Sequence, residues 1–135
     1  MMALTAPRSS VERSGDLREP PVAANTTIYQ GALVCIAASG YAVPGSTATT
    51  LKAIGRAERT VVNGATAGAE RVQVKRGIFR FKNSTAGDAI ALTDVGADCY
   101  VVDDETVAKT NGTNTRSVAG KIFDVDAQGV WVDFR

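Results

Sequence analysis

The chain contains no histidine. That removes the side chain most used as a general base near neutral pH and the commonest zinc ligand. Cysteine is scarce: Cys35 and Cys99 stand far apart, not at the spacing of a metal site. Both lie in apolar, strand-forming contexts, Leu33-Val34-Cys35-Ile36 and Cys99-Tyr100-Val101-Val102. They read as buried thiols acting as small hydrophobes, with a disulfide or redox role as the alternative. There is no Gly-x-Ser-x-Gly elbow and no Gly-rich phosphate loop leading into a helix. Without histidine, a Ser or Thr nucleophile would need Lys or a carboxylate as its base. The expectation is a chain that is not an enzyme and uses no cofactor and no metal.

Other absences bound the partners. No apolar run approaches the roughly 20 residues of a membrane span. Met1 to Pro21 has no apolar segment of the secretory kind, so folding in a reducing cytoplasm is expected. The glycosylation-like triplets at Asn25, Asn83 and Asn111 then read only as polar turns. Neither sign of charge dominates: 15 basic residues face 14 acidic ones, for a net charge of +1. A dedicated nucleic-acid binder or a polybasic membrane-surface protein needs a basic excess, so neither nucleic acid nor membrane is an expected partner.

What the chain does have is turns and short apolar alternations. Residues 1–25 read as an extended N-terminal arm: Arg8, Glu12, Arg13, Asp16, Arg18 and Glu19 are strewn among Ser, Gly and Pro, and Pro20-Pro21 favours extended backbone. Residues 26–135 read as a single β-rich domain. Strands are expected at Thr27–Tyr29, Ala32–Ile36, Tyr41–Val43, Lys52–Glu58, Arg71–Lys75, Asp88–Leu92, Cys99–Val102 and Thr106–Lys109, with a final hairpin of Ser117–Asp124 and Gly129–Phe134. Val72 and Val74 share one face; after Gly77 the parity changes, and Phe79 and Phe81 become the apolar positions. A flip of the apolar face at a glycine predicts a bulge or sharp bend, of the kind that lets a small sheet curl. The fold class is therefore all-β, a small β-barrel or sandwich-like domain with an extended arm.

Three constellations could carry chemistry. Asp103, Asp104 and Glu105 are adjacent, and Asp124, Asp126 and Asp133 lie near the end. Paired carboxylates can work as acid and base or hold a divalent cation. The first cluster, however, sits in an expected hairpin turn, where Asp bonds its own backbone, and lacks calcium-loop spacing. Arg71, Lys75, Arg76, Arg80 and Lys82 form a basic stripe with Phe79 and Phe81 interleaved, the composition of a single-strand nucleic-acid platform. The favoured reading is a solvent face backed by two core phenylalanines; a further option is an interface stripe that meets an acidic protein surface. Trp131, between Val130 and Val132, is a core or interface residue.

Tyr100-Val101-Val102-Asp103-Asp104-Glu105-Thr106-Val107, Arg116-Ser117-Val118-Ala119-Gly120-Lys121-Ile122 and Gly129-Val130-Trp131-Val132-Asp133 resemble the C-terminal pattern of a family. It is the capsid cement, or head decoration, proteins of tailed phages and prophages, encoded near the major capsid gene. Ala53-Ile54-Gly55-Arg56-Ala57-Glu58 and Val74-Lys75-Arg76-Gly77-Ile78-Phe79-Arg80-Phe81 are similar to its middle segments. Arg13-Ser14-Gly15-Asp16-Leu17-Arg18-Glu19 followed by Pro21-Val22-Ala23-Ala24 is similar to its arm. The resemblance implies a structural virion protein made in the bacterial host cytoplasm and seated on the outer capsid surface, often as a homotrimer at local threefold positions. Its partners would be the major capsid protein and itself. The arm, with Arg8, Arg13, Asp16, Leu17 and Arg18 as candidate capsid contacts, would order on the capsid or on a neighbouring copy. The alternatives are a head-completion or tail-tube subunit, a single-stranded nucleic-acid module and, last, a hydrolase using an Asp pair.

Overall fold

A computed structural model describes residues 2–135. The chain is all-β. Its strands in order are β1 (Leu17–Arg18), β2 (Thr27–Ile28), β3 (Leu33–Ile36), β4 (Ala42–Pro44), β5 (Lys52–Ala57) and β6 (Val61–Val62). They continue with β7 (Val74–Lys75), β8 (Ile78–Asn83), β9 (Asp98–Val101), β10 (Thr106–Ala108), β11 (Val118–Asp126) and β12 (Gly129–Asp133). The second half closes into a five-stranded barrel in the order β10-β8-β12-β11-β9, in which only β10 and β8 run parallel. The first half forms a sheet in the order β1-β7-β5-β3-β4, backed by the two-stranded ribbon of β2 and β6.

Each half surrounds its own core. Phe81, Ile90, Cys99, Val101, Val107, Ile122, Val130 and Val132 fill the barrel, and Val22, Ile28, Val34, Val61, Val72 and Val74 fill the space between sheet and ribbon. The two cores share strand β3. Leu33 and Cys35 point into the barrel core while Val34, on the other face, points into the sheet core. That is why Leu33–Ile36 is an unbroken apolar run: both faces are covered. Each such side chain contributes about 1.5–3 kcal/mol on full burial.

The parity change at Gly77 marks the passage between halves. Val72 and Val74 face the sheet core; past Gly77 the chain enters the barrel, where Phe81 is buried and Phe79 packs against the same core. The Phe134 N–H donates to the Gly77 carbonyl at 3.0 Å, which ties the C-terminus to this crossing.

Two expectations need correction. The strand expected over Asp88–Leu92 does not form; two short 3₁₀ turns, Ala86–Asp88 and Leu92–Asp94, stand there instead. Only Ile90 needs burial, and the Asn83 carboxamide holds it as a strand neighbour would, donating to Ile90 O and accepting from Ile90 N, both at 2.9 Å. The second correction concerns the arm. Residues 17–25 of the segment expected to be an arm belong to the body. Leu17↔Lys75, Arg18↔Val74 and Pro21↔Arg71 form one continuous antiparallel register, and Val22 then bridges Ala42 on β4. Val22 is fully buried. The segment thus links the two edges of the first sheet and nearly closes it into a second ring. Pro20 and Pro21 are tolerated because their carbonyls do the work: they accept from Val72 N at 3.2 Å and Ala42 N at 2.8 Å.

Candidate interaction surfaces

The residues singled out at the N-terminus and on the basic stripe partly converge. Arg8 and Arg13 lie in the exposed segment before residue 16. The Asp16 carbonyl accepts from Arg76 N at 2.8 Å, and Leu17 and Arg18 pair with Lys75 and Val74. The Arg71 guanidinium donates to the Glu19 carbonyl at 2.8 Å. Arg13, Arg18 and Arg71 therefore meet around an open recess of about 530 Å³ that Leu17, Glu19 and Gln73 complete. Glu19 tempers this basic rim and approaches Arg59 at 3.7 Å.

The stripe itself is divided. Arg71 and Lys75 stay with the first sheet, Arg76 sits at the crossing, and Arg80 and Lys82 stand on the outside of the barrel. Lys82 pairs with Glu105, whose hydrogen bond and charge raise the Lys82 pKa. Phe79 and Phe81 face away from Arg80 and Lys82. Phe81 is buried edge-on against Phe134, at 5.8 Å between centroids, and the Arg56 guanidinium covers the Phe79 ring at 4.0 Å. Neither ring offers an open face on which a base could stack.

The acidic clusters behave as turns. Glu105 N donates to Asp103 Oδ1 at 2.9 Å, and Gln128 N and Gly129 N donate to Asp126 Oδ1 at 2.8 and 3.0 Å. Desolvation, then the neighbouring Asp103, raises the Asp104 pKa. Among the described residues no three Asp, Glu or Cys side chains converge to hold a metal ion. Cys35 and Cys99 are free, buried in the barrel core, and burial pushes both thiols up to about 12. A thiol so shifted is inert as a nucleophile at neutral pH.

One feature of the barrel's outer face was not anticipated. The register between β11 and β12 slips between Ile122 and Asp124, so that Ile122 opposes Val132 and Asp124 opposes Trp131. This bulge places two consecutive side chains, Phe123 and Asp124, outward opposite the one residue Trp131. Phe123 is 54% exposed. Trp131 is half-buried on the same face, where its indole N–H donates to Asp126 Oδ2 at 2.8 Å and the Arg80 guanidinium lies 5.6 Å from its ring centroid. The signal was present in Lys121-Ile122-Phe123-Asp124-Val125-Asp126. The inward residues there are Ile122 and Val125, an odd separation that a regular strand cannot satisfy.

Compared with known proteins, the chain matches no protein-family model, no curated protein and no solved structure.

Proposed function

We propose that this protein is a structural component of a tailed-phage virion, which decorates and stabilises the outer surface of the expanded capsid as trimers at threefold positions. The observation that carries this reading is the build of the N-terminus. An exposed segment of residues 2–15 leaves a body made of a closed barrel and a nearly closed sheet, and it leaves beside the recess of Arg13, Arg18 and Arg71. A hydrogen-bonded body with one unpacked polar extension suits a clamp laid over the joints of a shell. The resemblance of the middle and C-terminal segments to capsid cement proteins supports the same reading. Stabilisation would follow from linkage: a ligand that binds the expanded shell and not its dissociated subunits shifts the equilibrium toward the shell. Many identical weak contacts on one particle then act together. The single-stranded nucleic-acid alternative loses support, because the two phenylalanines of the stripe point inward.

Co-sedimentation with expanded, undecorated capsids and with unexpanded procapsids tests the proposal. Saturable binding to expanded shells alone, at a stoichiometry set by the capsid lattice, is the expected result. Absence of binding to both shells would overturn it.

A further inference from the structure

The outer face of the barrel over β8, β12 and β11 carries an uncommon combination. A sheet face that merely meets solvent is lined by polar side chains. Here the β11 bulge turns Phe123 outward on the face that holds Trp131, and the Arg80 guanidinium lies 5.6 Å from the indole centroid. Further exposed apolar residues stand near the other edge of β11. The Gly96 N–H donates to Ile122 O at 2.9 Å, and just before it Leu92 and Val95 are 64% and 47% exposed. Trp and Arg are the residues most enriched among the energetic anchors of protein interfaces.

Charge is segregated across the same face. On the β8 flank the outward residues are Arg80 and Lys82, and Lys82 is paired with Glu105, which leaves Arg80 as that flank's cation. On the β11 flank, beyond Trp131, they are Asp124 and Asp126. Lys121 is the exception on β11, and Asp98 neutralises it at 2.7 Å. Strand β12 stands between the flanks: Arg80 lies over Trp131, where its charge reaches Asp126, while Asp124 makes no ion pair among the described residues.

We propose that this face is the contact between copies of the chain, with the basic β8 flank of one copy seated against the acidic β11 flank of the next. A rotation axis running along β12 produces that pairing. Each turn about the axis carries one flank onto the opposite flank of the neighbouring copy and gathers the Trp131 side chains toward the centre. The opposite arrangement would juxtapose like charges. The number of copies, three, rests on the decoration reading above; the pairing of flanks rests on the face itself.

The experiment is a charge swap in the full chain, read as molar mass by light scattering across a dilution series. Wild type is expected to be trimeric at high concentration. R80E alone and D124R alone should each weaken association about tenfold or more, and R80E/D124R on one chain should restore it, because every contact then again joins opposite charges. Phe123→Ser, which touches no charge, should also weaken association. Thermal unfolding of each variant checks that the barrel is intact. A monomeric wild type at every concentration would overturn the inference, as would a trimer that neither single change weakens, or a double variant that stays dissociated. Shell binding, measured separately by co-sedimentation, keeps the two ideas apart: a protein that decorates shells but is monomeric when free would refute this face as the contact and leave the proposed function standing.

Discussion

The carboxamide nitrogen of Asn63 donates to the main-chain carbonyl of Val22 at 3.0 Å, and the same nitrogen reaches Ala23 O at 2.9 Å and Thr66 O at 3.1 Å. Asn63 is 3% exposed. Gly68 N and Ala69 N also serve the Val22 and Thr66 carbonyls, at 2.9 and 3.2 Å, so Ala23 O is the acceptor that depends on Asn63. It is the polar rivet that fastens the N-terminal strand to the loop after β6. Asn63→Leu should lower the unfolding free energy by about 1–3 kcal/mol, chiefly the cost of leaving the Ala23 carbonyl unpaired. Asn63→Asp should do more harm at neutral pH, because a carboxylate oxygen would face those carbonyls. Urea unfolding of the three proteins tests both; equal stability would show that the rivet carries no load.

Truncation separates the free segment from the closing strand. Removing residues 2–15 should leave the thermal midpoint within about a degree of wild type, since that segment is exposed throughout. Removing residues 2–23 takes away Val22 and the bonds to Glu70, Val72, Arg76 and Ala42, and should unfold the first sheet or lower the midpoint by 10 degrees or more, by about the loss of one core side chain and several ladder bonds. Calorimetry checks each deletion, and co-sedimentation with expanded shells shows whether the shorter deletion weakens capsid binding as the proposed function expects.

Gly55 lies where the β3–β5 register slips, with φ of 147°, and a Cβ there would stand 2.2 Å from the Lys75 carbonyl oxygen. Gly55→Ala must strain the backbone and push β7 away, at about 2–4 kcal/mol. Gly87→Ala is the control, since a Cβ there meets nothing within 4 Å and φ is unremarkable. Denaturant midpoints of the two variants should differ accordingly.

Acid should be read by the one tryptophan. The Trp131 indole N–H, together with the amides of Gln128 and Gly129, holds the Asp126 carboxyl below the usual carboxylate range. A depressed folded-state pKa means that the contribution is fully present above the unfolded value of about 4 and is lost as pH falls through the depressed one. Trp131 fluorescence in the folded protein should therefore change with a midpoint below about 4, and D126N should abolish that change. A midpoint at or above the ordinary value would show that the indole bond does not hold in solution.

Much of the fold is written in local pattern. The alternation in Ile78–Asn83 and Gly129–Asp133, the glycine at the parity change and the Asp-led turns each act over a few residues, so neighbouring side chains suffice to predict them. The closing strand is different. Between Leu17 and Ala23 only Leu17 and Val22 are large and apolar, and the segment is held by main-chain bonds to residues 42 and 70–76. Such bonds leave no mark on composition. The Phe123 bulge stands between these cases, visible as a broken alternation once the inward neighbours are known.

By itself, the amino-acid sequence determined an all-β chain without histidine, its turns, its strand-forming segments and the place where its apolar face reverses. Those properties follow from side-chain chemistry and from steric preferences a few residues long. Only the tertiary structure decided that residues 17–23 link the two edges of the first sheet, that the basic stripe is divided between two halves, and that Phe123 and Trp131 share an outer face. Those depend on which distant backbone groups meet, and pairing across tens of residues is selected by the packing of the whole chain.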